Sequence, residues 1–392
     1  MSKKYDVIII GAGSVGVPTA YFLSEKGLKV LVLDKYASSG QGQNKAAIGG
    51  VRATHSDPAK IQICLQSIKI FTNWKKKTGT DIGWKEGGYC FPVYRKKEEK
   101  ILKSILPIQK KHGLDINWYD SNKIKKFIPG INEEGLIGGT YSPHDGQVSP
   151  LLVSESFTNE AIALGAKFHY LERVTSLITD GKKGNLTVKG VKTDKDTYKV
   201  DTVVNAAGAD ASDICKMAGL DIPVKPDSHE AGISAPVAAF LDPLVVDMRP
   251  GFEGKTANFY FGQNTEGQII FCYTPIKKIV GDDRRSTSEF MPIMARRMVD
   301  LIPRLKNLTI RRLWRGLYPM TPDGIAVVGQ PSGVQGFYVE IGMCGQGFMM
   351  GPGVGLNMAN LIANGKTLIK KEVFDYLKPD RNFYEGKKEV LK

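Results

Sequence analysis

The chain has 392 residues, enough for two or three domains with sizeable cores, and its 42% hydrophobic and 24% charged content excludes disordered and fibrous proteins. Lys and Arg outnumber Asp and Glu by 54 to 40, a net charge of +14. The lysines fall in scattered stretches (Lys75-Lys76-Lys77, residues 95–100, Lys387-Lys388) that read as a solvated surface, and no recognition-helix or zinc-finger spacing points to nucleic acid.

Residues 5–10 are rich in β-branched side chains, the pattern of a strand buried on both faces. GAGSVG follows at 11–16, then a predicted helix over 17–25 that stops at Gly27, then a second buried strand over 29–33 ending in Asp34. This is a whole βαβ unit: Gly11 permits the tight turn, Gly13 lets a pyrophosphate approach the backbone, Gly16 lets helix and strand pack closely, and the helix N-terminus attracts the anion. Asp34, 18 positions past Gly16, is placed to accept from ribose hydroxyls, which favours FAD or NAD over a phosphorylated ribose. The bland alternative is a structural glycine turn in some other α/β protein.

A nicotinamide dehydrogenase usually continues with more βαβ units, but here small-residue loops follow at 37–44 and 49–52. Residues 202–209 read as another buried strand ending in small residues. Residues 258–261 and 268–272 read as a hairpin around Thr265-Glu266-Gly267. Residues 342–348 form a second glycine-rich entry to a predicted helix over 354–363. The five cysteines are odd in number and lack any C-x-x-C pair, so neither a disulfide framework nor a thiolate metal site is expected. The apolar run at 7–10 is too short for a signal-peptide core, and Pro236, Asp242 and Pro243 break the most apolar later stretch. The expectation is a cytoplasmic protein. The +14 charge leaves peripheral membrane contact open, although no amphipathic anchor stands out.

Taken together, GAGSVG at 11–16, GGVR at 49–52, SPHDGQVSP at 142–150, VNAAG at 204–208, GLYPMTPDG at 316–324 and GQGF at 345–348 resemble, in order and spacing, the D-amino-acid oxidase-like FAD-dependent oxidoreductases. That family includes glycine and sarcosine oxidases and the sarcosine, dimethylglycine and proline dehydrogenases. The resemblance covers essentially the whole chain. It implies an α/β fold (α+β overall): a Rossmann-like FAD-binding domain from residues 1–57, 150–218 and 325–392, interleaved with an antiparallel-sheet substrate domain from 58–149 and 219–324. It also implies FAD contacts at Gly11, Gly13, Gly16, Asp34, Lys35, Gly49, Gly50, Val174, Gly208, Gly345, Gly347, Phe348 and Met349.

Enzymes of this kind take a hydride from a C–H bond beside an amine nitrogen, so the protein must orient the amine and stabilise charge near the flavin. Arg52 is a candidate to grip a substrate carboxylate or to tune the flavin, with a surface salt bridge as the alternative. Tyr318 falls where the family has an active-site side chain. Tyr273 is a candidate hydroxyl donor, weighed against core packing, and among the histidines only His55 has a case for the site. Met349 replaces a lysine that sarcosine oxidases use to hold carboxylate, and the pattern at Gly316 lacks the cysteine to which they attach flavin. Noncovalent FAD is therefore expected. No basic counterpart for oxygen activation appears near Tyr273, which favours a dehydrogenase that passes electrons to a quinone, a second flavin or a partner subunit. The reading is an amino-acid or secondary-amine dehydrogenase, with assembly into a hetero-oligomer as one expectation. Its rivals are a 2-hydroxy acid or glycerol 3-phosphate dehydrogenase, for which Arg315 or Arg284 would point inward, and a flavin subunit of an electron-transfer complex.

Overall fold

The computed structural model describes residues 5–384, 389 and 391, so Lys387-Lys388 lie outside the described residues. Val7–Ile10 forms β1, Gly16–Glu25 forms α1 and Val30–Leu33 forms β2. Every residue of β1 and β2 is buried, as a strand covered on both faces requires. They sit inside a six-stranded sheet ordered Val327–Gly329, Phe337–Ile341, Val203–Asn205, β1, β2, Lys167–His169. All its pairings are parallel except that of Val327–Gly329, which runs antiparallel to its neighbour.

One face of this sheet is covered by α1, by α2 (Pro58–Thr78) and by the C-terminal helix Gly347–Asn364. Helix α2 begins at an Asp57 cap and at Pro58, where a missing N–H costs nothing. It buries Ile61, Ile63, Cys64, Phe71 and Trp74 in the same core as α1, so residues 58–78 pack with the six-stranded sheet although the chain runs on into the second sheet. The C-terminal helix starts seven residues earlier than the 354 expected from sequence, because the glycines of its first turns serve close packing and do not break it. A Cβ on Gly351 would fall 1.9 Å from the carbonyl oxygen of Ser14, which only a bare glycine backbone accommodates.

The second sheet has eight strands, ordered Ile310–Met320, Lys225–Pro236, Gln268–Pro275, Thr256–Gln263, Leu244–Asp247, Tyr89–Val93, Gly138–Ser142, Asn117–Asp120. The expected hairpin is present, with Phe261 opposite Phe271 and Phe259 opposite Tyr273. One face of this sheet packs under the helix Phe290–Leu301 and the other turns toward the six-stranded sheet. Among the described residues, no helix is long and apolar enough to cross a membrane.

Candidate active site

A cavity of about 2080 Å³, counted out to its open mouth, runs from the C-terminal ends of β1 and β2 to the inner face of the eight-stranded sheet. Its wall takes in residues of both sheets, from the nucleotide turn to the substrate side, so a long cofactor and a substrate can lie in it together.

The dinucleotide end is built by the βαβ unit. Gly11 and Gly13 line the cavity, and a Cβ on Gly13 would meet nothing within 4 Å, so the turn is open to a ligand. Gly16 does not line it; it lies beneath the turn against Ala206 and Ile9, as its packing role demands. Helix α1 has neither a side-chain cap nor an acidic first turn, which leaves its first N–H groups for an anion. Asp34 accepts from Ala12 N at 2.7 Å and Tyr36 N at 2.8 Å, so the acid that would meet the ribose also shapes the turn. Burial raises its carboxyl above the usual range, against the pull of those N–H donors. Lys35, Val174 and Gly208 complete this wall, with Lys35 Nζ 2.6 Å from Asp210.

At the other end, Gly49, Gly50 and Arg52 face the turn formed by Gly345, Gly347, Phe348 and Met349, all in the cavity wall. Gly345 sits at φ +79°, and a Cβ there would strike the Tyr318 ring at 2.3 Å, so this turn and this tyrosine meet in direct contact. Phe348 packs on Phe71 of α2. The buried Oε1 of Gln346 has no hydrogen-bond partner among the described residues, and the C-terminal helix it precedes has no side-chain cap. Open turn, acid, two uncapped helix entries and an orphaned amide together fit an FAD: the Gly11 to Gly16 turn would hold its pyrophosphate, Asp34 its ribose and the Gly345 to Met349 turn its ring.

Arg52 is buried, not a surface ion pair: its guanidinium donates to the carbonyls of Thr54 and Leu391, the latter at 2.8 Å. Its loop is pinned by Asp145, which accepts from Ala53 N at 2.8 Å and Thr54 Oγ1 at 2.6 Å, and whose carboxyl burial pushes up to about 6. Glu389, bonded to Ser56 and 3.7 Å from Lys60 Nζ, anchors the segment that brings Leu391 to Arg52.

Tyr318 lines the cavity and shares a 2.8 Å hydrogen bond with Tyr260, which lines it too. Burial raises both phenols far above their usual range, so they stay neutral donors. Tyr273 does not line the cavity and is corrected as a site residue. Successive side chains of a strand alternate, so Cys272 and Thr274 face the cavity while Tyr273 points into the opposite core, 5.0 Å from the Phe290 ring. His55 is fully buried and also outside the wall.

The histidine in the wall is His229, which sequence reasoning missed. Its ring stacks on Tyr318 with centroids 3.9 Å apart and planes 13° apart, its Nε2 lies 3.5 Å from Asp227, and its Nδ1 has no hydrogen-bond partner among the described residues. The available signal was Asp-x-His, two residues on one face of a strand. Neither Arg315 nor Arg284 lines the cavity; Arg315 is buried and donates to the Arg285 carbonyl, and Arg284 is exposed. Burial lifts the Cys272 thiol to about 12, and Cys344 donates to the Gly342 carbonyl, so the two cavity thiols are uncharged in one case and hydrogen-bonded in the other.

A family model described as FAD dependent oxidoreductase, DAO, matches residues 6–361. The crystal structure of L-proline dehydrogenase from P. horikoshii is 30% identical, with a TM-score of 0.88 over 97% of this chain and 98% of that one. Mitochondrial dimethylglycine dehydrogenase of Homo sapiens is 25% identical over 97% of this chain but only 44% of its own length, so the chain spans less than half of that relative. Sarcosine oxidase subunit beta of Arthrobacter sp is 25% identical over 92% of this chain and 88% of its own. Matched length, the 0.88 TM-score and a cavity that fits the cofactor agree: the chain belongs to the DAO family of FAD-dependent oxidoreductases.

Proposed function

We propose that this protein oxidises the carbon–nitrogen bond of a secondary amine or amino acid of the sarcosine, proline or dimethylglycine type, acting as a dehydrogenase. The observation that carries this reading is His229: an imidazole with an unpartnered nitrogen, stacked on Tyr318, in the wall of the cavity that fits FAD. The names of the proline dehydrogenase, dimethylglycine dehydrogenase and sarcosine oxidase relatives support the substrate class.

Bound FAD supplies the acceptor for a hydride from the carbon beside nitrogen, and it is held without a covalent link. His229 Nδ1 takes a proton from the substrate ammonium, so that the nitrogen lone pair can form the C=N bond as the C–H bond breaks. The imine leaves or is hydrolysed by water. Tyr318 and Tyr260 donate hydroxyls that orient the amine or its carboxylate. Arg52, with its guanidinium tied to two carbonyls, acts as a fixed positive charge in the wall more than as a mobile clamp. The absence of Arg315 and Arg284 from the wall weighs against a phosphate substrate.

On this reading the six-stranded sheet with α2 forms the FAD-binding domain and the eight-stranded sheet the substrate domain. Electrons pass to a quinone, a second flavin or a partner subunit; a relative that is itself a subunit supports a hetero-oligomer. Five free, buried cysteines support a reducing, cytoplasmic setting.

The test is anaerobic bleaching of the flavin by sarcosine, proline, dimethylglycine, D-amino acids, 2-hydroxy acids and glycerol 3-phosphate. Bleaching by a secondary amine followed by slow reoxidation in air is the expected result. Bleaching by alcohols alone would transfer the assignment to the hydroxy-acid chemistry.

A further inference from the structure

The strand Lys225–Pro236 carries His229 into the cavity wall, yet only part of it is paired on its inner side. From Ala231 onward it pairs with the strand Gln268–Pro275, and before that point the chain over 276–289 takes over as its neighbour. This strap is sewn down by the strand's own groups. Ser228 N donates to the Ile279 carbonyl at 2.9 Å, Gly281 N donates to the Pro226 carbonyl at 2.9 Å, and Glu230 accepts from Thr287 N at 2.7 Å and Thr287 Oγ1 at 2.6 Å.

Asp227 belongs to both structures. Its Oδ1 accepts from Ile279 N of the strap at 2.9 Å, and its Oδ2 lies 3.5 Å from His229 Nε2. The carboxylate is buried, and although burial opposes ionisation, His229, the Ile279 N–H and the charge of Lys278 hold its pKa below the usual range. An ionised carboxylate only accepts, so the nitrogen facing it must carry the proton. The other nitrogen, Nδ1, has no partner among the described residues.

We propose that Asp227 is a positioning residue that holds His229 with N–H on Nε2 and an open lone pair on Nδ1, and that the 276–289 strap holds Asp227 in that register. The inference rests on the assignment of His229 as proton acceptor but concerns a separate property, the tautomer. The other groups around the imidazole do not supply this bias. Tyr318 and Tyr260 are neutral, burial keeps the Cys272 thiol protonated, and Glu230 points to the other face of the strand, against Arg315 and Thr287. When Nδ1 takes a proton from the substrate ammonium, the resulting imidazolium is stabilised by the same carboxylate, which accepts no proton itself.

The test is ¹⁵N chemical shifts of histidine-labelled holoprotein in the oxidised state, with His229 assigned by its loss in His229→Gln. The wild type is expected to show a protonated Nε2 and an unprotonated Nδ1; the opposite tautomer would overturn the proposal without any variant. In Asp227→Asn the amide oxygen stays on the Ile279 N–H, so the amide NH₂ faces His229 and the proton is expected to move to Nδ1. The limiting rate of flavin reduction should then fall about 10²-fold, with substrate dissociation constants changed by less than about threefold. An unchanged tautomer in Asp227→Asn overturns the proposal whatever the rate does. A switched tautomer with an unchanged rate upholds the role of Asp227 and removes His229 from the proposed chemistry. Should Asp227→Asn fail to fold, the wild-type spectrum decides alone.

Discussion

The imidazole of His229 lies flat on the ring of Tyr318, two side chains 89 positions apart in the chain brought face to face by antiparallel pairing of their strands. The stack fixes the plane of the imidazole, and Asp227 fixes one of its nitrogens. Replacing His229 by Asn is expected to lower the limiting rate of flavin reduction about 10²–10⁴-fold. Tyr318→Phe keeps the stacked ring but loses the bond to Tyr260, so it should cost about tenfold. Anaerobic stopped-flow reduction with a secondary amine measures both, and equal losses in the two variants would contradict the division of roles.

Asp34 accepts two main-chain hydrogen bonds and faces the cavity where the ribose would lie. Hydrogen bonds to a charged group contribute about 1.5–3 kcal/mol each, so Asp34→Ala should weaken FAD binding by about 10²-fold or more. Fluorescence titration of the apoprotein reads this directly. In the wild type, acid precipitation should release all the yellow colour into solution, whereas colour retained in the pellet would reveal a covalent link.

Glu389 stands 3.7 Å from the fully buried Lys60. Burial raises its carboxyl most strongly, but the charge of Lys60, the neighbouring His55 and the two hydrogen bonds from Ser56 together outweigh it and hold the group below the usual range. Glu389→Gln leaves Lys60 without its anion and should destabilise the protein by about 3 kcal/mol at neutral pH. Because the depressed carboxyl stabilises the fold above its unfolded pKa and loses that contribution as pH falls, the deficit should shrink in acid. Urea melts at pH 7 and pH 3 give the comparison.

Asp145 has the opposite sign. Burial lifts its carboxyl to about 6, so the folded state holds this proton more tightly than the unfolded chain, and the stability it gives is lost as pH rises through about 4 to 6. Asp145→Asn should remove about 2–3 kcal/mol of that decline. Melting curves across pH 4 to 7 for wild type and variant would diverge if this holds, and parallel curves would refute it.

The βαβ unit, the hairpin and the strand before Gly208 were legible because each is written in contiguous residues: burial on both faces, glycine spacing, a short turn. The order of the motifs carried the family. Tyr273 was not legible, because the run Cys272, Tyr273, Thr274 carries no alternation that assigns faces, and only the pairing of Tyr273 with Phe259 fixes which face each takes. His229 hid in a strand whose polar residues break any alternation, and its value comes from Tyr318, which sequence spacing cannot bring near it. The early start of the C-terminal helix was hidden by glycines that sequence rules treat as breakers but that are needed for contact with Ser14 and Ile63.

The six-stranded sheet has a consequence for how the molecule is made. Strand β1 has β2 close behind it in the chain, yet its other neighbour spans Val203–Asn205 and that strand's further neighbour spans Phe337–Ile341. The nucleotide turn is thus complete only after Gly351 has reached Ser14, more than three hundred residues downstream. Closing such long loops in parallel pairing is slow. During synthesis the Gly11 to Gly16 turn therefore waits for residues more than three hundred positions downstream, and tight capture of the cofactor is expected to follow that contact.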